Sequence, residues 1–372
     1  MKLTIERGAL LRSLNHVQSV VERRNTIPIL SNVYLTASGG KLRLTATDMD
    51  IAIVEAVEAG IEAEGATTAP AHTLYDIVRK LPEGAQIVLD DSGGGDRLTL
   101  AAGRSRFTLQ TLPTADFPMM SADDLPFRFG IAAGELRTLI DRTRFAISTE
   151  ETRYYLNGIY MHTAEVDGVQ LLRAVATDGH RLARVEMPMP EGAAGMPGVI
   201  VPRKTVNELH KLIEETQASV EVALSETKIR FGFDDVVLTS KLIDGTFPDY
   251  DRVIPANNDK TLGVDCRNFA AAVDRVATIS TEKSRAVKMR VAHGNLVLSA
   301  SSPDSGTATE EIEVVYNHPD LEIGFNARYL LDITQQIEGE TAEFLLADSG
   351  SPTIVRDGAD SSALYVLMPM RV

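Results

Sequence analysis

The 372-residue chain reads as an α+β protein built from three copies of one unit. Strings recurring in order at nearly one spacing give the copies. Helical stripes that alternate with antiparallel-looking β runs, without a helix after every strand, give the class. Ala46-Thr47-Asp48 returns 130 residues on as Ala176-Thr177-Asp178, and Phe117-Pro118 returns at the same spacing as Phe247-Pro248. Ser148-Thr149-Glu150 with Arg153 returns 132 residues on as Ser280-Thr281-Glu282 with Arg285. Pro70, Pro202 and Asn326 stand at matching places, each five residues before Tyr75, Asn207 and Leu331. A third of the chain is 124 residues, close to both spacings. Segments 121–127 and 253–259, rich in Pro, Asp or Asn, separate the copies, giving domains 1–124, 125–253 and 254–372.

Each copy carries two amphipathic helical patterns. Leu10, Leu14, Val17 and Val21 share one face, as do Leu74, Ile77, Val78 and Leu81. The second copy has Leu136, Leu139, Ile140 and Thr143, then Val206, Leu209 and Ile213. The third has Phe269, Ala272, Val273 and Val276, then Leu330, Ile333 and Ile337. The helical windows are 7–23, 72–83, 133–147, 203–214, 266–280 and 327–338. Short β-like runs lie between them, among them 41–45 after Gly39-Gly40, 97–101 after the Gly93–Gly95 run, 219–224 and 363–368.

Composition excludes several classes. Hydrophobic residues make up 44% and charged residues 24%, too apolar for a disordered chain. The single cysteine, Cys266, leaves no internal disulfide framework and reads as a small buried apolar residue rather than a nucleophile. The N-terminus lacks the apolar run of a signal peptide, and no stretch of about 18 apolar residues spans a membrane. A cytoplasmic protein is expected. Net charge is −15, which taken evenly would disfavour a nucleic-acid partner. The charge is not even. The six helical windows hold 14 Lys+Arg against 10 Asp+Glu, so the remainder carries −19. Helix surfaces take Lys and Arg for solubility. Three copies presenting related helical faces would also line one surface that attracts polyanion, and local potential is all non-specific phosphate attraction needs.

Motifs for chemistry are scarce. No phosphate-binding loop, dinucleotide fingerprint, zinc-protease helix or nucleophile elbow occurs. Asp178-Gly179-His180-Arg181 could hold a metal or share a proton. Asp48-Met49-Asp50 stands at the matching place in the first copy, which favours a shared turn organised by the aspartate. Aromatic content of 5% without Trp argues against an extended base-stacking platform. The C-terminal residues Met368-Pro369-Met370-Arg371 place adaptable apolar side chains where several partners could share one groove.

The chain resembles the bacterial β sliding clamps, the processivity subunits of replicative DNA polymerase, from Met1 to Val372. The strings that carry the likeness are Ile27-Pro28-Ile29-Leu30, Gly103-Arg104-Ser105-Arg106-Phe107, Arg153-Tyr154-Tyr155-Leu156-Asn157-Gly158, the stretch Ala-Thr-Asp-Gly-His-Arg-Leu at 176–182, Val201-Pro202-Arg203-Lys204, Phe247-Pro248-Asp249-Tyr250 and Met368-Pro369-Met370-Arg371.

The resemblance implies three similar clamp domains and a head-to-tail homodimer closed into a ring, helices inside and sheets outside. It implies no catalysis and no cofactor or metal. The partners implied are duplex DNA held topologically and without sequence preference, the replicative polymerase, an ATP-driven clamp loader, and repair and translesion polymerases. DNA contact falls to Arg24, Tyr154, Tyr155, Arg203 and Lys204. A partner-peptide pocket maps to Arg153, Leu156, Thr177, Gly179, His180, Arg181, Leu182, Pro248, Arg252, Val253, Asn326, Tyr329, Val366, Leu367, Met368, Pro369, Met370 and Arg371. The subunit contact would join Arg104, Arg106, Phe107 and Leu109 to Thr278 and Ile279. Ser284 stands where some relatives place a Phe at the pocket rim.

Overall fold

The computed structural model describes residues 1–93, 96–121, 124–280 and 285–371. Thr281 and Glu282 of the repeated string and Ser284 of the expected pocket rim lie outside them, as do Gly94, Gly95 and Val372. Six α-helices occur among the described residues: α1 Arg7–Gln18, α2 Ala71–Lys80, α3 Ala133–Arg144, α4 Arg203–Ile213, α5 Cys266–Ala277 and α6 Ala327–Thr334. All six begin within one residue of the expected windows and end one to five residues earlier.

The starts are fixed locally. Glu6 accepts from the Ala9 amide at 2.9 Å, Asp265 from Asn268 at 2.8 Å and Asn326 from Arg328 at 2.9 Å, each satisfying an amide that the first turn leaves unpaired. Downstream residues set the ends. Leu81 is already extended ahead of Pro82, so the apolar stripe continues while the helix does not.

The strands form antiparallel sheets throughout the described residues. The chain gathers into two compact units. One comprises Met1–Leu136, Pro190–Met196 and Lys204–Leu242; the other comprises Arg137–Met189, Pro197–Arg203 and Ile243–Val372. The reason is strand pairing across the copies. Within the first unit, Val236–Lys241 of the second copy pairs with Ile51–Glu58 of the first and completes an eight-stranded sheet. Within the second unit, Ala363–Leu367 of the third copy pairs with Arg181–Pro188 and completes a nine-stranded sheet. Each copy covers its neighbour's sheet edge, which removes an exposed row of amides and carbonyls.

In the first unit α1 packs against α2 over a core that includes Leu10, Leu14, Val17, Leu74 and Val78. In the second, α5 packs against α6 through Phe269, Val273, Leu330 and Ile333. Cys266 is buried, with its thiol 3.5 Å from the Thr334 carbonyl, and burial pushes its pKa up, so it is an inert core residue. No helix among the described residues is long and apolar enough to cross a membrane.

Candidate functional site

The turn at Asp178 is built by its own side chains. The Thr177 hydroxyl donates to the Arg181 carbonyl at 2.7 Å and accepts from the Gly179 amide at 3.1 Å. Asp178 Oδ1 accepts from the amides of His180 and Arg181 at 2.9 and 3.0 Å. Gly179 sits at φ +87°, a conformation that disfavours a side chain, and a Cβ there would meet Arg153 Nη1 at 2.7 Å. The geometry therefore supports the turn reading of Asp178, whose oxygens are committed to amides and to Arg181.

Arg181 ties this turn to the body of the second unit. It is 9% exposed. Its Nε donates to Asp178 Oδ2 at 3.1 Å, Nη1 to Asp332 Oδ2 of α6 at 2.5 Å and Nη2 to the Phe145 carbonyl at 2.6 Å. The guanidinium lies 4.2 Å from the Tyr329 ring centroid and 5.2 Å from that of Phe145. Fork geometry and aromatic stacking suit arginine and no other cation.

Beneath the turn, Leu156, Val175, Leu182, Ile200, Phe247, Tyr250 and Val366 form one buried cluster, with Tyr155, Tyr160 and Ile254 packed against it. Tyr160 stacks on Phe247 at 4.8 Å with 8° between the planes. The Tyr250 hydroxyl meets His162 Nε2 at 2.9 Å and Arg173 at 3.2 Å. Burial holds His162 below the ordinary histidine range and Tyr250 above the ordinary tyrosine range, so both stay neutral at neutral pH. Around the cluster, Gly179, His180, Pro248, Arg252, Val253 and Met368 are exposed, while Tyr329, Pro369 and Met370 are half-buried. Val253 and Met368 stand out as large apolar side chains 50% and 42% exposed. The Met368 amide donates to the His180 carbonyl at 2.9 Å and the Met370 amide to Gly324 at 2.8 Å, which fixes the C-terminal segment beside the turn. An apolar floor with an adaptable Met, Val and Pro rim and backbone polar groups at its edge suits an extended peptide.

Individual residues divide by burial. Leu367 is fully buried and Leu182 and Val366 nearly so; these support the floor from below. Asn326 acts as the cap of α6. Arg153 pairs with Glu150 at 3.2 Å, and Arg252, 84% exposed, with Asp249 at 2.7 Å. Arg371 is exposed. Phe247, Tyr250, Val175 and Ile200 join the site without having been expected there. The Phe117/Phe247 repeat is a signal for the first of them and the string Phe247-Pro248-Asp249-Tyr250 for the second, while nothing in the local sequence marks Val175 or Ile200.

The residues expected at DNA are placed unequally. Arg24 and Arg203 are exposed, as is Tyr154 at 54%. Tyr155 leans into the buried cluster. Lys204 is engaged: its ammonium donates to Asp48 Oδ2 at 2.5 Å and to the Val20 carbonyl at 3.3 Å, with Glu22 at 3.5 Å. At the expected subunit contact, Ser105–Gln110 is the end strand of its five-stranded sheet. Arg104, Arg106 and Phe107 are exposed, whereas Leu109 faces the core. Thr278 is exposed at the end of α5 and Ile279 is half-buried. The strand Gly306–Glu313, which no sequence signal marks, ends the four-stranded sheet and carries Glu310, Glu311 and Glu313.

Profiles of the DNA polymerase III beta subunit match in succession: its N-terminal domain at residues 1–121, its central domain at 130–249 and its C-terminal domain at 251–371. The beta sliding clamp of Caulobacter vibrioides NA1000 is 59% identical over 372 residues, and that of Escherichia coli K12 is 40% identical over 373, each covering all of both chains. A crystal structure of the C. crescentus beta sliding clamp with polyethylene glycol bound superposes with a TM-score of 0.98 at 59% identity, covering 100% of this chain and 99% of that one. A sliding clamp from Bartonella birtlesii bound to griselimycin gives a TM-score of 0.96 at 52% identity over the full length of both. Three consecutive domain matches and full-length identity of this order leave one assignment: the chain belongs to the DNA polymerase III beta subunit family, the beta sliding clamps.

Proposed function

We propose that two copies of this chain close head to tail around duplex DNA and tether the replicative polymerase and other partners to it, with no catalysis of their own. The observation that carries this is the succession of three clamp-domain matches across the chain. The domains are taken as 1–124, 125–253 and 254–372. A head-to-tail contact is heterologous and closes only if the rotation completes a circle, which two copies of three domains would do. Two end strands support it: Ser105–Gln110, flanked by Arg104 and containing Arg106, and the acidic Gly306–Glu313 in the same copy as Thr278 and Ile279. Pairing them across subunits would cover both edges and set basic against acidic side chains.

In this reading retention is topological. Tight phosphate contacts would impede sliding, and weak screened attraction suffices. Arg24 and Arg203, with Tyr154 beside them in role, are the groups free to supply it. Lys204, neutralised by Asp48 and Glu22, contributes less. The pocket around Leu156, Leu182 and Met368 takes short apolar-aromatic segments of the replicative polymerase, an ATP-driven clamp loader, and repair and translesion polymerases. A cytoplasmic location fits these partners.

The test is retention on nicked circular DNA after loading with a matching clamp loader and ATP, before and after a restriction cut. Retention at elevated salt on the circle with rapid loss from the linear form is expected. Equal retention on both would mean ordinary affinity and would overturn the ring mechanism.

A further inference from the structure

The partner-peptide region has a twin in the first unit. Residues 47–51 repeat the turn of residues 177–181 bond for bond. The Thr47 hydroxyl donates to the Ile51 carbonyl at 2.8 Å and accepts from the Met49 amide at 2.9 Å. Asp48 Oδ1 accepts from the amides of Asp50 and Ile51 at 2.9 and 2.8 Å. The Lys241 amide donates to the Asp50 carbonyl at 2.8 Å, as the Met368 amide does to His180. Tyr34 stacks on Phe117 at 5.3 Å, as Tyr160 does on Phe247, and Ile29 and Leu30 form one buried cluster with Phe117.

What differs is the lining. Met49 occupies φ +79° where the second turn has glycine, a conformation unfavourable for any residue with a side chain. It stands 46% exposed, and Met119 is 58% exposed. Met49, Pro118, Met119, Met120, Lys228 and Lys241 surround a hollow of about 190 Å³. A cavity of about 150 Å³ already holds a benzene-sized group, so one leucyl or phenyl side chain fits here. Lys228 and Lys241 are the charged side chains in the lining. The Lys228 ammonium bonds the Ser121 hydroxyl at 2.7 Å, and that of Lys241 meets Asp50, itself 77% exposed, at 3.0 Å.

We propose that this hollow is a second peptide-docking site, which takes one apolar side chain of an extended partner segment whose neighbouring residues are acidic. The backbone frame is that of the first pocket, the methionines supply an adaptable apolar wall, and Lys241, whose partner Asp50 is exposed, selects carboxylates over cations. A ligand carboxylate replaces exposed Asp50 at Lys241. The kind of occupant rests on the peptide-pocket reading of the region around Arg181; the location does not.

The experiment uses the full chain labelled at methionine methyl carbons, assigned by Met→Leu variants, and titrated with acetyl-Glu-Leu-Phe-Glu-amide and acetyl-Lys-Leu-Phe-Lys-amide. Saturable shifts at the Met49, Met119 and Met120 methyls are expected, with half-saturation at about fivefold lower concentration for the acidic peptide at low salt. In a Lys241→Gln variant that ratio falls to about one. Absence of saturable shifts at Met49 and Met119, or equal half-saturation by both peptides, would each overturn the proposal. Met368 and Met370 report the first pocket separately. Shifts there without shifts at Met49 and Met119 would sink this inference and leave the first pocket standing, and the reverse would sink only the first.

Discussion

Replacing Arg181 by lysine keeps the positive charge and removes the fork that joins three parts of the second unit. The guanidinium holds Asp178 in the turn, Asp332 in α6 and the Phe145 carbonyl through three separate nitrogens. An ammonium is a point donor and can satisfy one carboxylate at a time. Two bonds involving a charged group are therefore lost, at about 1.5–3 kcal/mol each. Asp178 and Asp332 are 17% and 23% exposed, so water recovers part of the loss. The expected cost is at the lower end, about 3 kcal/mol. Arg181→Ala strands both carboxylates and is expected to cost about 3–5 kcal/mol.

Because a chain of several domains need not unfold in one step, the measurement is local: hydrogen exchange at the Leu182 and Met368 amides under increasing urea. Protection at both should fall in Arg181→Lys, and affinity for an apolar-aromatic peptide should fall with it, since Met368 hangs from His180. A lysine variant within about 0.5 kcal/mol of the parent would refute the claim that the fork matters. Lost protection with unchanged peptide affinity would refute the link from the strut to the pocket.

Other contacts lead to three more expectations. His16 is buried with both ring nitrogens on carboxylates, Nδ1 2.6 Å from Glu55 and Nε2 3.2 Å from Glu215, an arrangement that only the imidazolium can satisfy. Burial opposes the charge, yet the two carboxylates outweigh it and raise the pKa above 6.5. This stabilisation is full below 6.5 and lost as pH rises through the raised value, so urea midpoints should fall with alkalinity in the parent and flatten in His16→Gln. At the turns, Met49→Gly should stabilise by about 1 kcal/mol by relieving a left-handed side-chain position. Gly179→Ala should destabilise by about as much and displace Arg153; equilibrium unfolding of the two variants reads both signs. For DNA, Arg24→Ala and Arg203→Ala should each lower the magnitude of the salt-dependence slope of low-salt duplex binding, by up to about 0.9 per phosphate contact, while Lys204→Ala changes it little.

The repeat makes the turns legible from residue order alone. Thr47-Asp48 and Thr177-Asp178 carry their own hydrogen bonds, so a local string suffices to specify them. Helix starts are legible for the same reason, through the caps Glu6, Asp265 and Asn326. The pocket floor is not. Val175, Ile200 and the Phe247–Tyr250 segment meet through strand pairing and chain reversal between positions 175 and 250, and nothing near any one of the three places records the other two. Burial likewise escapes the motif. Leu367 and Leu109 are expected at the peptide pocket and the subunit contact, yet strand alternation turns both toward the core.

Lys204 shows what composition leaves out. Its helix window records a positive charge, whereas the structure places the ammonium on Asp48, an aspartate whose own motif marks a turn. Asp48 does both jobs with different oxygens, Oδ1 on the turn amides and Oδ2 on Lys204. Its twin Asp178 divides its oxygens the same way but spends Oδ2 on Arg181. One motif therefore fixes a turn twice and, through the second oxygen, holds Lys204 of α4 in one place and Arg181 in the other.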